Sequence, residues 1–262
     1  MGSEAVSVYR TSDAGEHWSR VACTPIPATP ANQQCGLSSG IGFGGHKDNL
    51  VFASPSTGFL TNNNNAGKPF LYVTHDGGVH WQVEPSALPN TIPAQNPRAG
   101  LFSYAEYQRP LFFNRLGILP TTVSACREHG HSRSVRRYGF YALLSHDGGR
   151  TWPMSHQFPI PYPWRSTPNR VWQAMSASTW YLVGTARLWV TTDSGLHWRA
   201  IPIRLPSGYA PVQVQFVTST TGWIIVAEVD RSDDVARATR LLETKDGGQS
   251  WAPVRLPGSS VR

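Results

Sequence analysis

Thr244-Lys245-Asp246-Gly247-Gly248-Gln249-Ser250-Trp251 is the last of five stretches in this chain that read Ser/Thr-x-Asp-x-Gly-x-x-Trp. The other four put the same residue types at Thr11/Asp13/Gly15/Trp18, Thr74/Asp76/Gly78/Trp81, Ser145/Asp147/Gly149/Trp152 and Thr191/Asp193/Gly195/Trp198. Random placement of this composition gives roughly 0.03 copies of the Asp-x-Gly-x-x-Trp core, so five copies mark a repeat array. Half of the ten tryptophans sit in it.

Each stretch follows a β-like run, at 6–11, 70–74, 140–145, 187–192 and 240–244, and precedes a shorter one. Strand, tight turn and strand make a hairpin in which glycine supplies the positive φ and the Asp carboxylate accepts turn N–H groups. The tryptophan then opens the next strand as a large apolar plug. Turn chemistry therefore accounts for the five Asp residues without a catalytic role. His17, His80 and His197 stand where Thr151 and Ser250 stand in the other two copies, and with His75 and His146 they are expected to hydrogen-bond at the turns.

These residues resemble the Asp-box, or bacterial neuraminidase repeat, Ser/Thr-x-Asp-x-Gly-x-Thr-Trp, which joins the third and fourth strands of a β-propeller blade. The resemblance covers nearly the whole chain. It implies an all-β β-propeller of four-stranded antiparallel blades, and a further two-strand unit precedes most boxes, at 50–60, 112–122, 172–183 and 212–226. Four complete blades follow, at about 45–90, 100–160, 168–205 and 210–258, with a partial one at 1–30, all in one domain over 1–262. The box-to-box spacings are 63, 71, 46 and 53 residues, so the two longest carry insertions. The partial blade has room for one strand ahead of its box, which favours a piece of a larger ring over an open ring of about five blades.

Thr57-Gly58-Phe59 and Thr221-Gly222-Trp223 ahead of their boxes are similar in style to the propellers related to the photosystem II assembly and stability factor. Those relatives are non-enzymatic and hold a protein partner on an arginine-rich face, which implies a protein-binding or assembly scaffold here. The same box also decorates sialidases and other glycosidases, which keeps a glycoside hydrolase as the alternative. Against it, no Arg-Ile-Pro motif precedes a box, and Arg204-Leu205-Pro206 and Arg255-Leu256-Pro257 lie on the other side of theirs.

The bulk composition agrees with a turn-rich β protein. The 262 residues are 40% hydrophobic, 11% aromatic and 15% charged, with 24 Gly and 21 Pro, which excludes disordered and collagen-like chains. No apolar run approaches the length of a transmembrane helix. The N-terminal residues lack the basic and apolar regions of a secretion signal, and the box families favour a secreted or cell-envelope setting. Cys23 and Cys35 bracket a Pro-rich loop and would form one bridge in an oxidising compartment, leaving Cys126 as a small hydrophobe.

A hydrolase needs two facing carboxylates. Only Tyr104-Ala105-Glu106-Tyr107 with Arg109 and Arg115 suggests such a pocket, a Tyr/Glu nucleophile pair beside a carboxylate clamp. The plainer reading of the same residues is a connection between blades with Glu106 paired to an arginine. Positive charge is more informative. Of the +7 net charge, residues 98–137 hold Arg98, Arg109, Arg115, Arg127, Arg133, Arg136 and Arg137 against two Glu. The segment 126–137 reads as an irregular polar insertion in the third blade, and Arg109, Arg115, Arg127, Arg133, Arg136 and Arg137 are the expected contacts for a protein or carbohydrate partner at the loop face. Cys126, His129 and His131 match no zinc spacing, and Asp230, Asp233 and Asp234 read as a solvated hairpin loop rather than a calcium site. No metal, cofactor or nucleic acid is expected.

Overall fold

The computed structural model describes residues 5–26, 39–63, 70–84, 101–129, 132–159, 171–228 and 238–254, leaving aside the side chains of 101–104, 124–129 and 132–138. Nineteen strands are assigned: β1 (Ser7–Arg10), β2 (Ser19–Cys23), β3 (His46–Phe52), β4 (Gly58–Asn63), β5 (Phe70–Thr74), β6 (Gln82–Glu84), β7 (Leu101–Tyr107), β8 (Leu111–Phe113), β9 (Leu116–His129), β10 (Ser132–Ser145), β11 (Met154–Gln157), β12 (Trp172–Ala174), β13 (Trp180–Val183), β14 (Arg187–Thr191), β15 (Arg199–Pro202), β16 (Tyr209–Phe216), β17 (Gly222–Glu228), β18 (Thr239–Thr244) and β19 (Ala252–Pro253). No helix occurs among the described residues, and so none is long and apolar enough to cross a membrane.

Three sheets are simple four-stranded antiparallel meanders, β3 to β6, β12 to β15 and β16 to β19. A fourth runs β11-β10-β9-β7 with β8 also on β9, and β1 pairs with β2 alone. This is the expected set of four complete blades and one partial blade. The chain divides into two compact units, Met1–His156 and Gln157–Arg262.

A single cross-strand pair recurs in the inner hairpin of three of the four complete blades. Phe52 faces Gly58, Phe112 faces Gly117 and Phe216 faces Gly222, one ring lying over one glycine. A Cβ on Gly58 would come within 2.7 Å of the Phe52 ring, and one on Gly222 within 2.6 Å of the Phe216 ring, so no side chain fits there. In the fourth blade the roles are exchanged, with Ala174 facing Trp180. The ring nevertheless reaches the same place: Phe52, Phe112, Trp180 and Phe216 stand 6.3, 6.2, 6.4 and 6.1 Å from the box tryptophans Trp81, Trp152, Trp198 and Trp251. Each contact is edge-on, the arrangement that aromatic quadrupoles favour.

Within each unit, side-chain amides join successive blades. Asn63 accepts the N–H of Tyr107 at 2.8 Å and donates to its carbonyl at 3.1 Å. Gln173 does the same with Phe216, at 2.5 and 2.9 Å. An amide is the one uncharged side chain with a donor and an acceptor placed like a peptide group, so it extends the hydrogen-bond ladder across a gap between sheets. Phe59, Leu71, Val73, Tyr107, Leu119, Leu143 and Trp152 form the core between the second and third blades. Val8, Ala22, Ile41, Leu60, Tyr72 and Trp81 form the one beneath the partial blade.

The third blade corrects the sequence reading. Residues 126–137 are not an irregular insertion: β9 and β10 pair through Ser134↔Arg127 and Arg133↔Glu128 to Ser132↔His129, interrupted by one register shift between Val135 and Arg137. Nor is 104–107 a connection, since β7 pairs with the far half of β9. Main-chain pairing extends the ladder whatever the side chains, so the Arg and Ser residues that suggested a loop do not oppose it.

Candidate functional site

All five box turns share one hydrogen-bond scheme. The leading hydroxyl, of Thr11, Thr74, Ser145, Thr191 or Thr244, donates to an Asp Oδ1 at 2.6 to 2.8 Å. It accepts the glycine N–H four residues on, at 2.7 to 3.1 Å. The same Oδ1 of Asp13, Asp76, Asp147, Asp193 and Asp246 takes the N–H of the residue before the tryptophan, at 2.9 to 3.0 Å. Gly15, Gly78, Gly149, Gly195 and Gly248 all have φ between 86° and 99°, which an L side chain resists. Trp18, Trp81, Trp198 and Trp251 donate their indole N–H to the carbonyl of the box glycine, whereas the Trp152 indole N–H is buried without a partner among the described residues.

The histidines keep the scheme intact. Thr151 and Ser250 donate a hydroxyl to Oδ2 of Asp147 and Asp246, at 2.7 and 2.5 Å. His17, His80 and His197 place Nδ1 on the equivalent oxygen of Asp13, Asp76 and Asp193, at 2.6, 2.6 and 2.7 Å. A carboxylate only accepts, so Nδ1 carries the proton and Nε2 faces solvent.

These donors hold the box carboxyls in their ionised form. The Thr11 hydroxyl, the His17 N–H and its ring bring Asp13 from the ordinary 3.8 to about 2, and the Ser250 hydroxyl, its N–H and the Thr244 hydroxyl bring Asp246 to about 2. The His197 N–H, followed by the Thr191 hydroxyl, lowers Asp193 further. At Asp76 and Asp147 burial pushes upward but is outweighed by the combined hydrogen bonds, and both lie well below the usual range. A carboxyl whose pKa is lower folded than unfolded stabilises the protein above its unfolded pKa and loses that contribution as pH falls through the folded one. Urea midpoints followed by tryptophan fluorescence are expected to be level above about pH 5 and to fall steadily from about pH 4 to 2. A midpoint unchanged down to pH 2 would exclude this role of the boxes.

The candidates for chemistry are dispersed. Glu106 is exposed on β7, but Tyr107 is fully buried in the core, because successive strand residues point to opposite faces. Tyr107 therefore reaches no substrate, and the Tyr104 side chain lies outside the described residues. Arg109 and Arg115 are both exposed, yet Arg115 sits in the turn between β8 and β9, where its carbonyl accepts the Gly148 N–H beside the third box. Arg127, Arg133, Arg136 and Arg137 belong to the opposite end of the β9–β10 ladder, with Arg136 at its register shift. The arginines close together in sequence are thus divided between the two ends of one blade. Asp230, Asp233, Asp234 and His131 lie outside the described residues, as do the side chains of Cys126 and His129. Cys23 is disulfide-bonded, and Cys35 lies outside the described residues.

Two groupings were not visible in sequence. Asn63 donates to Asp48 Oδ2 at 3.2 Å as well as to the Tyr107 carbonyl, which ties the exposed Asp48 on β3 to the residue beside Glu106 on the neighbouring blade. Asp13, Glu16 and His17 bring three potential ligand atoms within 4.8 Å of one another, although Asp13 is already the acceptor of its box. Burial raises the pKa of Glu84, the His75 charge opposes this and the Asp147 charge adds to it. Glu84 is on β6, the outermost strand of the sheet whose innermost strand carries Asp48, about 14 Å away at three strand spacings, so the two do not face each other across a site.

No protein-family model matches the chain, and no curated protein matches it in sequence. Among solved structures it is similar to YCF48 bound to D1 peptide (14% identity, 83% of this chain and 82% of that one, TM-score 0.37). It is also similar to YCF48 from Cyanidioschyzon merolae (14% identity, 91% and 76%, TM-score 0.38). A third is Trypanosoma rangeli sialidase in complex with sialic acid (11% identity, 97% and 42%, TM-score 0.46), of which this chain spans less than half the length. Five turns with one hydrogen-bond scheme, three of them closing a four-stranded antiparallel meander and a fourth closing the five-stranded sheet, give this chain the repeated antiparallel blades of an all-β β-propeller fold.

Proposed function

We propose that the chain is a non-catalytic scaffold that holds a protein partner on the β9–β10 hairpin through Arg127, Arg133, Arg136 and Arg137. The observation that carries this reading is the length of that hairpin. Both strands have 14 residues, whereas their counterparts have 6 and 5 in the second blade, 4 and 5 in the fourth and 7 and 6 in the fifth. Extra ladder beyond the blade adds little to a blade's own core, and it carries four guanidinium groups suited to planar bidentate contact with carboxylates. Changing Arg133, Arg136 and Arg137 together to Ala is expected to weaken binding of a labelled Glu/Asp-rich peptide about tenfold in fluorescence anisotropy, with circular dichroism unchanged. Binding retained in the triple variant would overturn the assignment of the contact.

A glycoside hydrolase is the second reading, supported by the link from Asp48 through Asn63 to the residue beside Glu106. Under it, the chain hydrolyses an aryl glycoside and Glu106→Gln abolishes the turnover. Absence of turnover in the unaltered chain leaves the scaffold reading in place.

A further inference from the structure

The register of the long hairpin assigns its arginines to different faces. Residues paired across an antiparallel ladder share a face, and neighbours along a strand alternate. Tyr107 pairs with Thr121 and Leu143 with Leu119, and Tyr107, Leu119 and Leu143 belong to the core formed with the second blade. The odd-numbered positions of β9 therefore mark one face, and on it fall Arg127 with its partner Ser134 and Arg137 with its partner Ala125. The register shift between Val135 and Arg137 is what brings Arg137 there. Arg133 falls on the other face, paired directly with Glu128, and Glu106 falls on that face as well, paired with Thr122.

The face of Arg127 and Arg137 holds no Asp or Glu at any position of β7, β9 or β10. It continues beyond the second blade: β4 ends at Asn63, which is bonded to Tyr107, while β9 runs on from the Tyr107 partner Thr121 to His129, about 27 Å at the rise of a strand. The first unit has little in its sequence to neutralise these charges. Its segments 27–38, 64–69 and 85–100, outside the described residues, contain no Asp or Glu and add Lys68 and Arg98, and ahead of them only Glu4 lies outside the described residues. Among the described carboxylates, Asp13, Asp76 and Asp147 are held in their box turns and Asp48 by Asn63. A second polypeptide is the fitting source of the counter-charge.

We propose, as a deepening of the scaffold reading that rests on it, that Arg127 and Arg137 together hold an extended acidic segment of a second polypeptide with Asp or Glu at every second residue. The two arginines lie on adjacent strands two pairs apart along the ladder, a diagonal of about 7–8 Å. Side chains on one side of an extended chain repeat at about 7 Å, so successive carboxylates of such a segment match that diagonal. Each carboxylate then meets one guanidinium in the planar two-bond geometry that arginine offers. The ladder partners of the two arginines, Ala125 and Ser134, are short residues without a competing charge. Arg133, set across from Glu128 on the other face, contributes to the general positive field and not to this spacing.

The test compares two labelled, end-blocked peptides of one composition by fluorescence anisotropy with the full chain: Thr-Asp-Thr-Asp-Thr-Asp-Thr and Asp-Asp-Asp-Thr-Thr-Thr-Thr. The alternating peptide is expected to bind the unaltered chain about tenfold more tightly than the block peptide. Arg127→Ala with Arg137→Ala is expected to erase that preference, whereas Arg133→Ala weakens both peptides alike and keeps it. Equal binding of the two peptides by the unaltered chain, a comparison that needs no variant to fold, overturns the proposal and leaves the scaffold reading standing. A preference that survives the double variant overturns it as well. So does an alternating peptide bound about tenfold more tightly once Asp230, Asp233 and Asp234 are changed to Asn, because the chain's own carboxylates then occupy the two arginines. Binding of neither peptide removes the scaffold reading too, so the two failures are distinguishable.

Discussion

Trp180→Gly is expected to lower stability by about 4 kcal/mol, the range for removing a fully buried large aromatic. Trp180 has no exposed surface, donates its indole N–H to the Ala177 carbonyl at 3.1 Å, and packs on Phe158, Trp172 and Trp198 at 6.0, 6.3 and 6.4 Å between ring centroids. The informative variant adds Ala174→Phe. That double change writes into the fourth blade the aromatic/glycine order of the other three, hanging the ring from β12 rather than β13. Because Phe52 and Phe216 reach their box tryptophans from that position, the double variant is expected to recover about half of the lost stability. Urea denaturation followed by fluorescence measures both. A double variant no more stable than Trp180→Gly would mean that the ring position is fixed by its own strand and that the exchange seen among blades is coincidental.

Gly149→Ala is expected to cost about 3 kcal/mol, and Gly148→Ala next to it about 1 kcal/mol. Both glycines have positive φ, 90° and 80°, so both substitutions carry the left-handed backbone penalty. Only Gly149 also meets a neighbour: an added Cβ would lie 2.3 Å from Phe59 Cζ and 2.7 Å from Cε1, whereas one on Gly148 meets nothing within 4 Å. Phe59 belongs to the second blade and stacks on Phe112 of the third at 4.8 Å, so it cannot retreat without opening the core they share. The difference between the two losses, about 2 kcal/mol, isolates the packing of one blade on the next. Equal losses would show that the second glycine of the box is needed for its backbone conformation alone.

The same comparison clarifies why Ala14 and Ser194 are tolerated. They occupy the Gly148 position of their boxes, at φ 58° and 60°, where only the backbone term applies. The second glycine is glycine in all five boxes and has positive φ in each, and at Gly149 and Gly248 a Cβ would also run into a neighbouring side chain, Phe59 and Leu188.

Most of the fold was legible in the sequence because the box is a local device. Its hydroxyl, carboxylate, glycine and tryptophan lie within eight residues and satisfy one another, so each copy announces a hairpin wherever it stands. The inner hairpins were legible for a related reason: a strand, a turn ending in Thr-Gly and a strand are contiguous, as in 50–60 and 212–226. The third blade was misread where locality ends. Nothing in 126–137 says that its two halves pair with each other, nor that 101–107 pairs with the far half of β9, since ladder contacts there join residues brought together by the sheet.

The candidate site was less legible. Charge counted along the chain put seven arginines into one patch, but strand direction carries Arg115 to the box end of the blade and Arg127 to the other. Alternation placed Tyr107 in the core and left Glu106 exposed, which separates two residues that stand side by side in sequence. The histidines of the boxes looked like departures from the Asp-box pattern, and only the geometry reveals Nδ1 on Oδ2 as the equivalent of the lost hydroxyl.

The sequence alone thus determined the repeat, the all-β class, the count of complete blades and the turn chemistry, because each depends on residues within a few positions of one another. Tertiary structure alone decided which end of a blade each arginine's strand position falls at and which glycines receive a neighbouring blade's side chain, because those are relations between segments far apart in the chain, set by sheet packing rather than by local conformation.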